Sequence, residues 1–125
     1  MRWLSALAIL AAFGGMPVPA HAGQITFQNE LSACLTVKAG KTLATEDIVL
    51  AKTTIQLNKP IGECGCKSAL ASYASSVETG GVQQTLQDGL IGLMSGGSKT
   101  LVVATEPALV GDKNVTVRLS CATPL

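Results

Sequence analysis

The stretch Val115-Thr116-Val117-Arg118-Leu119-Ser120-Cys121 alternates without a break. Val115, Val117, Leu119 and Cys121 fall on one side, and Thr116, Arg118 and Ser120 on the other. A strand turns successive side chains to opposite faces, so this pattern marks a strand with one face in a core and one in water. The same reading extends upstream. Ile25 to Asn29 alternates, with Ile25 and Phe27 on one face. Cys34 to Val37 follows, with a turn expected at Lys38-Ala39-Gly40-Lys41. Asp47 to Leu57 is rich in β-branched residues and stops at Asn58-Lys59-Pro60, because proline cannot donate to a ladder and restricts the residue before it. Val82 to Leu86 leads to Asp88-Gly89, which reads as a tight turn, and Leu90 to Met94 continues beyond it. The loop Ser95-Gly96-Gly97-Ser98 and the run Lys99 to Thr105 complete the pattern up to the turn at Asp112-Lys113-Asn114.

The segment Lys67 to Val77 fits two periods. Leu70, Tyr73, Ala74 and Val77 form a helical stripe, whereas Ala69, Ala71, Tyr73 and Val77 share one face of a strand. Its four serines weigh against a helix, since their hydroxyls compete for the backbone. A strand is therefore expected. About seven short strands in about a hundred residues predict an all-β, immunoglobulin-like β-sandwich.

Residues 1–22 read as a secretory signal peptide. Arg2 supplies the positive start, Leu4 to Phe13 the apolar run, and Ala20-His21-Ala22 an A-x-A cleavage site. The run is too short to span a bilayer, which takes about 20 residues. Residues 23–125 then form a single domain, expected to be soluble in the periplasm or outside the cell. Leu31-Ser32-Ala33-Cys34 has the form of a lipobox, but polar residues separate it from the apolar run. Asn114-Val115-Thr116 is a chance sequon in a leader-bearing chain of bacterial type.

Cleavage would leave 103 residues, with seven lysines and one arginine against eight acids. Such a chain is neutral and lacks the clustered cations that nucleic acid requires. The only histidine, His21, and the only tryptophan, Trp3, leave with the leader. A histidine-based triad or zinc site is thereby excluded. The carboxylates Glu30, Glu46, Asp47, Glu63, Glu78, Asp88, Glu106 and Asp112 are scattered, mostly in predicted turns, and suggest no glycosidase pair. Ser95-Gly96-Gly97-Ser98 lacks the lysine spacing of a phosphate loop. No cofactor is implied.

The chemistry that remains lies in Cys34, Cys64, Cys66 and Cys121. An even count in an exported chain implies disulfides, and four cysteines allow three connectivities. In one arrangement Cys64 and Cys66 each pair with one of Cys34 and Cys121, stapling the ends of the chain to its middle. In another, Cys34 and Cys121 form the staple, and Cys64-Gly65-Cys66 is a reactive dithiol beside Lys67. Two close thiolates at Cys64 and Cys66 also suit Cu(I), with Met94 the only methionine after the leader.

The arrangement Cys64-Gly65-Cys66-Lys67-Ser68-Ala69, then Tyr73, then Val115 to Cys121, resembles small exported bacterial proteins grouped as a domain of unknown function. The resemblance covers most of the chain after the leader and implies no activity. The architecture is also similar to the periplasmic curli-inhibiting protein, an immunoglobulin-like sandwich with a Cys-x-Cys pair. The Cys-x-Cys lies later in this chain, so no residue role carries over. The expected function is a non-enzymatic binding module for another periplasmic or secreted protein: an inhibitor, an immunity-type protein or an adaptor. The alternative is thiol-redox or Cu(I) binding at Cys64 and Cys66.

Overall fold

A computed structural model of the chain describes residues 23–123. The leader expected over residues 1–22 lies outside the described residues. Seven strands follow in order: β1 (Ile25–Asn29), β2 (Leu35–Ala44), β3 (Val49–Leu57), β4 (Leu70–Thr79), β5 (Val82–Gly92), β6 (Gly97–Ala104) and β7 (Val115–Cys121). A 3-10 turn at Ile61–Cys64 links β3 to β4, and a one-turn helix, α1 (Pro107–Val110), precedes β7. The strands form a four-stranded sheet in the order β1-β7-β4-β5 and a three-stranded sheet in the order β2-β3-β6.

The two sheets pack as a sandwich because β3, β4 and β7 alternate along their length and turn one apolar face inward. Ala71, Tyr73, Ser75 and Val77 of β4 and Val115, Val117 and Leu119 of β7 face inward and are buried. Opposite them lie Val49, Ala51 and Ile55 of β3 with Leu101 and Val103 of β6. The ambiguous segment before Val77 is a strand, so its serines need no helix to compete with. Ser75 is buried and donates its hydroxyl proton to the carbonyl of Val103 in the other sheet. That carbonyl lies where the β3–β6 register shifts, at a bulge that leaves backbone groups without their regular ladder partners.

The strand pairing departs from the immunoglobulin-like expectation. β1 runs parallel to β7, with Ile25 opposite Val115 and Asn29 opposite Leu119, whereas the other pairs are antiparallel. The four-stranded sheet is therefore mixed, and immunoglobulin strand order is not reproduced. The hairpins β2–β3 and β4–β5 each stay within one sheet, after which the chain crosses to β6 in the three-stranded sheet and back to β7 in the four-stranded one.

Two expected turns are also corrected. Lys38 to Lys41 does not end a strand: β2 continues through it with a register shift between Ala39 and Thr42. Asp88-Gly89 lies inside β5, and the hairpin turns instead at Gly80-Gly81, whose φ values are 60° and 82°. Two adjacent left-handed residues match the twist of a two-residue hairpin, and glycine adopts them without steric cost. Gly89 serves a different purpose. A Cβ there would sit 2.8 Å from Cε1 of Tyr73, so the missing side chain makes room for the ring lying over β5. Gly89→Ala is expected to push the ring aside and lower stability by about 1–3 kcal/mol, the cost of overpacking, read as a drop in the urea midpoint. An unchanged midpoint would show that the ring has space to move.

Candidate functional site

The segment between β3 and β4 carries the chain from one sheet to the other, and its conformation follows from three residues. Pro60 has φ −59° and leads into the 3-10 turn. Ile61 is buried and anchors that turn in the core. Gly65 then takes φ 97°, a left-handed value natural only to glycine, and reverses the chain between the two cysteines. The reversal separates the sulfurs. Cys64 is bonded to Cys34, just before β2 in the three-stranded sheet, and Cys66 to Cys121, the last residue of β7 in the four-stranded sheet. The crossing segment is thus tied to both sheets, one bridge to each.

All four cysteines predicted as site residues are brought together at this end of the sandwich, and none is free. Cys64 and Cys66 are neighbours in sequence that are not bonded to one another. In this oxidised form neither offers the thiolate that a dithiol redox site or a Cu(I) site requires. Among the described residues no group of three or more His, Cys, Asp or Glu side chains is placed to hold a metal ion.

Beside the bridges lies a groove of about 530 Å³, open to solvent along one side. Leu57, Ile61, Ala69 and Leu93 line it, with Met94 at its lip and Lys59 and Lys67 among its polar residues. Met94 is 90% exposed, an unusual position for the only methionine after the leader. The amide of Leu93 donates to the carbonyl of Ala69, which joins the groove's two sides.

A second cleft, of about 570 Å³, runs between β5 and β6. These are the outer strands of the two sheets, and they face each other along one seam of the sandwich. The Leu93–Ala69 bond fixes which β5 residues turn their peptide groups toward β4. An antiparallel ladder alternates, so Ile91, Gly89 and Gln87 bond β4, while Gly92, Leu90 and Asp88 turn theirs to the open side. On the facing edge, the amide of Val102 donates to the Tyr73 hydroxyl at 3.1 Å, and that hydroxyl donates to the carbonyl of Val102 at 2.9 Å. A single side chain thus satisfies both backbone groups that a neighbouring strand would satisfy.

The chain matches the model of a family described as "Uncharacterized protein conserved in bacteria (DUF2195)" over residues 8–124. It belongs to that family. No curated protein and no solved structure matches this DUF2195 chain, the curli inhibitor's likeness included. Two disulfides in a DUF2195 protein fit a location outside the cytoplasm. Among the described residues no helix is long and apolar enough to cross a membrane. The β5–β6 cleft and the lysine-edged groove were missed by sequence reasoning. Placing an Asp-Gly turn in the middle of β5 hid the strand that borders the cleft. The groove is built from three separate chain segments, which no local pattern links.

Proposed function

We propose that this protein is a non-enzymatic binding module of the periplasm or cell exterior. In this reading it holds an extended segment of another exported protein along the free edge of β5. One observation carries the proposal: β5 is an eleven-residue edge strand whose outward peptide groups line an open cleft. Exposed edges are usually blunted by shortness, by proline or by lysine. β1 has five residues, β2 carries Lys38 and Lys41, and β6 carries Lys99. β5 has no proline and no lysine, and its single charge is Asp88. Leu90 on it is 64% exposed. Main-chain pairing to such an edge supplies affinity, and alternate side chains supply selectivity.

Leu90→Pro tests this directly. The Leu90 amide points away from β4, so proline removes no ladder bond of the fold, and the residue before it, Gly89, tolerates proline as a neighbour. Leu90→Ala removes the side chain and keeps the amide. A partner isolated on the wild-type protein from a periplasmic extract is expected to bind the alanine variant and to lose the proline variant, with circular dichroism unchanged in both. Equal retention on Leu90→Pro would end the strand-pairing reading, and turnover of a substrate by the purified protein would end the non-enzymatic one.

A further inference from the structure

The groove at the disulfide end has no part in strand pairing, and its make-up points to one kind of occupant. Its floor is apolar, formed by Leu57, Ala69 and the buried Ile61 and Leu93. Its polar side chains include two lysines and no carboxylate. That imbalance is local, because the chain after the predicted leader is neutral. Glu63, the nearest acid in sequence, is exposed and does not line the groove.

The walls are held in place before anything binds. Cys66 is bonded to Cys121, Gly65 sets the turn, and the Leu93–Ala69 hydrogen bond closes the floor. A preformed wall lowers the ordering cost of association. Met94 differs from the rest: 90% exposed and unbranched, it can lie over whatever enters. The groove is open along one side, whereas small-molecule pockets enclose most of their ligand. A side chain delivered from a partner's surface fits such a shape better than a free small molecule. The chain also runs directly from Gly92, the last residue of the β5 cleft, into Leu93 and Met94 of the groove.

We infer that this groove seats an apolar side chain of a partner protein next to a carboxylate, with Lys59 and Lys67 pairing to the carboxylate. The inference deepens the binding-module reading by giving the partner segment an acidic, apolar character. It does not depend on strand pairing at β5.

The test uses the intact, disulfide-bonded protein, labelled with ¹⁵N, and short probes that cannot form a strand. The probes are acetyl-Glu-Leu-Leu-Glu-amide, its glutamine and lysine counterparts, and sodium dodecanoate. The acidic peptide is expected to shift the amide signals of Lys67, Ala69 and Met94 saturably, leaving Asp88 and Leu90 on the β5 edge unmoved. The glutamine peptide is expected to bind about five-fold more weakly, the size of two solvent-exposed ion pairs, and the lysine peptide more weakly still. In Lys59→Gln/Lys67→Gln the acidic and glutamine peptides should bind alike. Equal binding of all three peptides to the wild type, no saturable shift, or shifts centred elsewhere would overturn the inference. So would saturation by dodecanoate with none by the peptides, which would make the groove a lipid site. The Leu90→Pro result and this titration are separate readouts, so the failure of one is not the failure of the other.

Discussion

Replacing Cys66 and Cys121 together by serine is expected to lower the free energy of unfolding by about 4 kcal/mol. The bridge spans 55 residues, and closing a loop of that length removes about that much chain entropy from the unfolded state. The Cys34–Cys64 bridge spans 30 residues, and its loss is expected to cost about 3.5 kcal/mol. Small domains have about 5–15 kcal/mol in total. Either variant should therefore still fold, with a lower urea midpoint, and the variant lacking all four sulfurs should show little or no cooperative transition. A loss below about 1 kcal/mol for Cys66→Ser/Cys121→Ser would show that the bridge is not a staple.

Tyr73→Phe has the next largest expected effect. It removes one oxygen that donates to the carbonyl of Val102 and accepts from its amide. Both groups lie on the inner edge of β6 with no strand beside them, so the loss is expected to cost about 1–3 kcal/mol. The same hydroxyl makes stability depend on alkaline pH. Burial raises its pKa above the ordinary 10.0, and the charge of Asp88 raises it further, against the lowering effect of the Val102 backbone hydrogen bond. A raised pKa means that the fold favours the neutral phenol. The contribution is whole below the pKa of the unfolded chain and is lost as pH rises through the higher folded value. Urea midpoints from pH 8 to 11 should fall more steeply for the wild type than for Tyr73→Phe. Parallel curves would remove Tyr73 as the source of the dependence.

Much of the fold is legible in the residues. β1 and β7 are read to the residue, because alternation is complete and each ends at a clear change of pattern. β4 is read as a strand although its apolar spacing also fits a helix, and the decisive signal is its serines, one of which links the two sheets. The two corrected turns share a cause: glycine in the sequence suggests a turn, although a strand can also require it. Gly40 and Gly89 lie within strands, one at a bulge and one under an aromatic ring, and both reasons are set by a neighbouring strand rather than by the local sequence. The pairing of the cysteines is equally non-local. Cys-Gly-Cys spacing is compatible with a bond between its own members, and only the left-handed Gly65 sends the two sulfurs to different sheets. The disulfide-bearing character is readable from the even count of cysteines, whereas the lysine-edged groove depends on three segments meeting in space.

The place of β7 inside its sheet sets an order of assembly. It is the last of the seven strands among the described residues, yet it lies between β1 and β4. As the chain emerges with its N-terminus first, β2 can pair with β3, and β4 with β5, as soon as each hairpin is complete. β1 has no such neighbour: its only partner is made some ninety residues later. Until then one side of β4 also stays open, along with the inward face that Val117 and Leu119 will cover. The emerging chain therefore carries two hairpins, each marginal by itself, and one solitary strand until β7 arrives. Folding should consequently be slow and dominated by long-range encounter, and a chain truncated just before Val115 should be prone to aggregate.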